Sequence, residues 1–155
     1  MTPQGLYNRS LDLLEGNGIS KDEEASFKLN AEAASTGHHD AVLAMGWFYL
    51  NGIGVEEDIE LAERWYKKSA RQGDSRAMFS LGQIAYSQHD NTAAMKWFNR
   101  ALKKGHHRSG CWIGKLYWHG RDVEQDKAKA MQLFNQAAKK KVKEARRILK
   151  WLSRN

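Results

Sequence analysis

The side chains best suited to chemistry in this sequence fall into small groups. His38-His39 and His106-His107 offer imidazoles, Cys111 a thiol, and Glu56-Glu57-Asp58 three adjacent carboxylates. Zinc needs three or four convergent ligands, and two His pairs lying far apart in the chain do not supply them. A nucleophilic Cys needs a base at its side; Cys111 lies in the run Cys-Trp-Ile with no evident His and Asn context, which suits a small packing residue. Paired carboxylates divide acid and base roles only where their surroundings separate their pKa values. Glu56-Glu57-Asp58 suits a helix start instead, with Asp58 as N-cap and the glutamates at the positive end of the dipole. Gly16-Asn17-Gly18 and Gly52-Ile53-Gly54 lack the third glycine of a phosphate loop, and no nucleophile elbow, Walker loop or His-Glu-x-x-His occurs. The expectation is a protein that is not an enzyme, with no catalytic residue, metal, cofactor or small-molecule substrate.

The elements that carry these groups repeat. Ala41, Met45 and Gly46 recur 36 residues on as Ala77, Leu81 and Gly82. Trp65-Tyr66 and Gly73 recur 32 residues on as Trp97-Phe98 and Gly105. Ile113-Gly114, Tyr117, Gly120, Asp126, Phe134 and Ala138 repeat Met45-Gly46, Tyr49, Gly52, Asp58, Tyr66 and Ala70. Upstream, Gly16, Gly18, Asp22, Ala34 and Gly37 stand for Gly52, Gly54, Asp58, Ala70 and Gly73. Both His pairs are therefore the same corner between units. Each unit reads as two helices. Ala41, Met45, Phe48 and Tyr49 follow a 3.6-residue stripe, and Ala62, Trp65, Tyr66, Ser69 and Ala70 form the facing one. Gly46 inside a helix costs about 1 kcal/mol against Ala, which makes sense where the second helix crosses closely.

The spacing predicts helices at roughly 3–15, 22–36, 39–51, 58–72, 75–87, 91–104, 107–119, 125–140 and 143–153, and no strand. The expected organisation is one domain over 1–155, with units at about 3–38, 39–74, 75–106 and 107–141 and a cap helix in 142–155. The pattern Ala-x-x-x-Leu-Gly-x-x-Tyr-x-x-Gly-x-Gly-Val-x-x-Asp-x-x-x-Ala-x-x-Trp-Tyr-x-x-Ala-Ala-x-x-Gly resembles the Sel1-like repeat, an α/α relative of the tetratricopeptide repeat. Residues 41–73 match it best, with Met45 and Ser69 as departures. The unit after them has Ser87-Gln88-His89-Asp90-Asn91 in place of the Gly-x-Gly-Val turn, the first has Ser10 and Leu13 for Gly and Tyr, and the last ends on Lys141 for Gly. The resemblance implies an all-α solenoid, a right-handed curved stack whose first helices line a concave face, and adaptor-type protein binding.

Charge adds a direction. Residues 1–74 carry 7 Lys+Arg against 13 Asp+Glu, a net of −6, and residues 75–155 carry 18 against 5, a net of +13. Such asymmetry orients a charged partner. By analogy with tetratricopeptide geometry, the residues facing the groove include Trp47, Arg76, Phe79, Gln83, Tyr86, Arg108, Lys115 and Trp118. Aromatic and Arg side chains are those enriched at binding hot spots. The expected partner is an acidic protein or peptide, with an immunity-type or regulatory inhibitor as a special case. The alternative is a nucleic-acid-associated protein using Lys139-Lys140-Lys141, Lys143, Arg146, Arg147 and Lys150 with the interleaved Trp112, Trp118 and Trp151. No apolar run reaches the ~18 residues of a membrane span. No signal peptide is expected at the N-terminus, and the lone Cys111 suits a reducing, cytoplasmic compartment.

Overall fold

A computed structural model describes residues 1–155. The chain forms nine helices and no strand: α1 (Pro3–Glu15), α2 (Glu23–Ser35), α3 (His39–Asn51), α4 (Ile59–Arg71), α5 (Ser75–Ser87), α6 (Asn91–Lys103), α7 (Arg108–His119), α8 (Lys127–Lys139) and α9 (Lys143–Leu152). Every expected helix is present. The eighth starts at Lys127 rather than 125, because Asp126 stays outside it as the cap. Asp22, Asp58, Asp90 and Asp126 each accept the amide three residues on, so one orphan N–H of each second helix is satisfied in the same way.

The residues divide into two compact units, Met1–Ala77 and Met78–Asn155. In the first, α1 packs on α2, α2 on α3 and α3 on α4. Leu6, Ala33, Ala34, Ala41, Val42 and Met45 form its core, with Phe27, Tyr49 and Trp65 against them. In the second, α6 packs on α7, α7 on α8, and α9 on both α8 and α7. The buried Ala145 docks α9 beside Cys111 and Ala137.

Within a hairpin the two helices touch through a glycine and an aromatic ring. A Cβ on Gly46 would lie 2.6 Å from the Tyr66 ring, and on Gly82 or Gly114 2.5 Å from the rings of Phe98 or Phe134. Tyr66, Phe98 and Phe134 are all buried. Burying each ring is worth about 1.5–3 kcal/mol, more than the ~1 kcal/mol that an interior glycine costs. The first hairpin solves the crossing differently. Ser10, in the register of Gly46, donates its hydroxyl to the Ser26 carbonyl at 2.8 Å, and the Ser26 hydroxyl donates to the Ser10 carbonyl at 2.7 Å. Asn30 occupies the place of Tyr66 and donates to the Ala41 carbonyl at 3.0 Å. Ser10 for Gly46 and Asn30 for Tyr66 are thus one coherent exchange of an apolar crossing for a polar one.

The corners need a left-handed residue. Gly52 and Gly54 have φ of 62° and 65°, and a Cβ on Gly54 would collide with the Glu23 carbonyl. Where glycine is missing, His89, Asp122 and Lys141 take φ of 62°, 54° and 64°. His89 followed by the capping Asp90 is what lets the shortened turn close without its glycines.

Three consequences are measurable by thermal or denaturant melts. Gly82→Leu should cost about 3 kcal/mol or more by overpacking against Phe98. Gly110→Ala, whose new methyl meets only Leu102 at 3.7 Å, should instead stabilise by up to ~1 kcal/mol. Lys141→Gly should stabilise by about 1 kcal/mol, since it relieves a left-handed Lys at the position held elsewhere by Gly73 and Gly105.

Candidate functional site

The first helices, α3, α5, α7 and α9, carry the residues that the packing of the repeat does not require. On α3, Trp47 is 40% exposed and meets Phe48 edge-on at 5.3 Å. Arg76 begins α5. Its guanidinium donates to the Asp74 carboxylate and, at 2.8 Å, to Asp40 of α3. Partial burial works against the Asp74 charge, but the hydrogen bonds from Arg76 prevail and hold its pKa below the usual carboxylate range.

In the second unit Phe79 is buried. His106 stacks on it at 4.5 Å, Trp112 meets it edge-on, and the Arg108 guanidinium lies 5.1 Å from its centroid. Gln83, Tyr86 and Trp118 are half-buried. The Tyr86 hydroxyl accepts from Arg121 at 2.7 Å, and Lys127 lies 5.0 Å over Trp118. Trp112, part of the basic-aromatic footprint read from the sequence, instead packs among Phe79, Tyr86 and Phe98, which withdraws it from a nucleic-acid surface.

Arg108 and Lys115 share one carboxylate. Arg108 Nε donates to Glu144 Oε2 at 2.9 Å and Lys115 Nζ donates to Glu144 Oε1, which ties α9 to α7. Partial burial raises the Glu144 pKa, and the hydrogen bonds from Lys115 and Arg108 more than offset it, leaving it low. The neighbouring Cys111 thiol is pushed up to about 11, chiefly by burial and then by the Glu144 charge. It is therefore a protonated packing group at neutral pH and a poor nucleophile. His38 caps α3 through Nδ1 and lies tilted against Tyr7 at 5.2 Å, while the His106 ring pairs with the Ser109 hydroxyl. These imidazoles serve the corners between units, and no three His, Cys, Asp or Glu side chains converge.

Beside this ion pair lies a cleft of about 410 Å³ between α7 and α9, lined by Trp118, Phe134, Ile148, Trp151 and Leu152 with Lys115, His119 and Arg147 at its polar edge. Sequence reasoning assigned Trp118 and Lys115 to a binding face but not Ile148, Leu152 or Phe134. It also missed the partner of its cations. The signal was present in the repeat, for Asp40, Arg76, Arg108 and Glu144 are one register with signs that can pair.

A depressed Glu144 pKa stabilises the fold above the ordinary Glu value of about 4.3, and that contribution is lost as pH falls through the lower native value. Melting temperatures of the parent and of Glu144→Gln should therefore differ most near neutrality and converge as the pH drops below about 4.

The Sel1 repeat matches residues 3–38, 39–74, 75–106 and 111–142. A Sel1 repeat protein from Oxalobacter formigenes superposes with a TM-score of 0.86 at 29% identity, covering 93% of this chain and 60% of that one. The chitin synthase regulator SKT5 of Saccharomyces cerevisiae is 31% identical over 88 residues, 52% of this chain and 13% of its own. The exopolysaccharide production negative regulator of Rhizobium leguminosarum is 29% identical over 110 residues, 59% of this chain and 41% of its own. The chain thus spans less than half the length of either regulator. Sel1 repeat proteins mediate protein–protein interactions, and no helix of this chain is long and apolar enough to cross a membrane. Four matched units, glycine-aromatic crossings and Asp-capped second helices together make this chain a member of the Sel1 repeat family.

Proposed function

We propose that this chain is a non-catalytic binding module that recognises an acidic protein or peptide through the exposed side of its first helices, in a regulatory role and a reducing, cytoplasmic compartment. The observation that carries the reading is the placement of aromatic side chains with cations stationed on them, at positions the repeat can fill with other residues. Arg121 on Tyr86 and Lys127 over Trp118 combine anchor area with positive charge. Trp47 adds an open indole. Anchors of this kind hold a partner, and complementary charge sets its orientation and on-rate. The regulators that match part of the chain support a regulatory role.

The cations have work of their own. Arg76, Arg108 and Lys115 are already ion-paired within the chain, so reversing their charge would disturb helix docking as well as recognition. Trp47 is the cleaner probe. Its ring is exposed, and Trp47→Ala leaves the α3 core residues Val42, Met45 and Phe48 in place.

The test is capture of partners from the source cell with the tagged chain, followed by kinetics with the purified partner. The expected result is a protein whose dissociation is accelerated at least tenfold by Trp47→Ala with little change in association. Binding only to arbitrary RNA, with affinity falling log-linearly in salt, would overturn the reading in favour of the basic half as a nucleic-acid surface.

A further inference from the structure

The helix α9 departs from the first helices it follows. At 36 or 32 residues' spacing, Leu43, Phe79 and Cys111 share a register with Arg147, and Gly46, Gly82 and Gly114 share one with Lys150. Where the other first helices place apolar groups or a bare backbone, α9 places cations. A second helix crossing α9 as closely as α4, α6 and α8 cross their partners would meet the Lys150 side chain. Trp151 shares the register of Trp47 and is 62% exposed. None of these choices serves the repeat.

Together they frame the cleft between α7 and α9. Its walls are the carbon surfaces of Trp118, Phe134, Ile148 and Trp151, and its volume of about 410 Å³ lies within the range of ligand pockets. The charge around it is one-sided. Glu144 is the only acid of α9, and both its oxygens are engaged by Arg108 and Lys115. Lys143, Arg146, Arg147 and Lys150 remain without a carboxylate.

We infer that this cleft is a docking pocket for a peptide segment of a partner protein that inserts an apolar or aromatic side chain between Trp118 and Trp151 and places flanking carboxylates against Arg147 and its neighbours. The inference rests on the protein-binding reading above and deepens it by giving the partner an anchor and a charge. Charge complementarity selects this occupant. A second copy of the chain would bring the same basic helix against itself. A nucleic-acid base would set its polar edges against walls that are mostly carbon, with polar groups only at the rim.

The experiment is selection of a random peptide library on the full chain, followed by affinity measurement of synthetic versions of the enriched peptides. The expected peptides carry one large apolar residue flanked by Asp or Glu. Their affinity should fall at least tenfold with Trp151→Ala and with Arg147→Glu, and stay unchanged with Lys96→Glu, a charge reversal on α6 outside the cleft. Arg147→Glu alters only an exposed side chain, so it decides the matter if Trp151→Ala loosens α9, as read by the circular dichroism melt. Peptides without acidic bias, no enrichment, or self-association of the chain that Trp151→Ala abolishes would each overturn the proposal. Peptides sensitive to Trp47→Ala alone would overturn the cleft yet leave the protein-binding reading standing.

Discussion

The close approach of two helix backbones at Gly46, Gly82 and Gly114 is the constraint on which the rest of each hairpin depends. A side chain at any of these positions would meet a ring at about 2.5 Å, so the ring could not stay where it is. With the ring seated, the second helix has a set distance and rotation. Its Asp cap then sits where the short turn can reach it, and the turn in turn requires a left-handed residue. The Ser10–Ser26 crossing satisfies the same constraint by another route. Both hydroxyls are buried and each finds a backbone carbonyl, so the cost of burying them is met. Packing constrains the distance between helices more strictly than it constrains the chemistry at the contact.

A second order is imposed along the first helices. Asp40 pairs with Arg76 in one unit and Arg108 with Glu144 in the other, each across one repeat. Exposed ion pairs contribute little stability. Their value here lies in register, since each bond forms only when the two helices are aligned at these positions. Arg108 also lies over the Phe79 ring, and Lys115 over Trp112, so these cations are held in place rather than left on flexible side chains.

The chemically suggestive residues are given structural work by the fold. His38 and His106 are spent on capping, stacking and hydroxyl contacts at corners. Cys111 is held as a thiol, and Asp58 caps α4. What is left open on the surface is aromatic area and positive charge, which is the raw material of recognition.

The sequence by itself determined the helices, their pairing into hairpins and the family. Those depend on local spacing, and a period of 36 or 32 residues exposes spacing directly. It also disclosed the crossing glycines, because an interior glycine is costly unless a neighbour needs the room. Only the tertiary structure decided which groove-register residues are open. Phe79 and Trp47 read alike in sequence, yet Phe79 lies beneath His106 and Trp112, whereas Trp47 faces water. It also decided that Arg108 and Lys115 share Glu144, and that Trp118 and Trp151 line one cleft. Burial and pairing depend on which distant side chain arrives at a given point, and periodicity within one repeat does not carry that information.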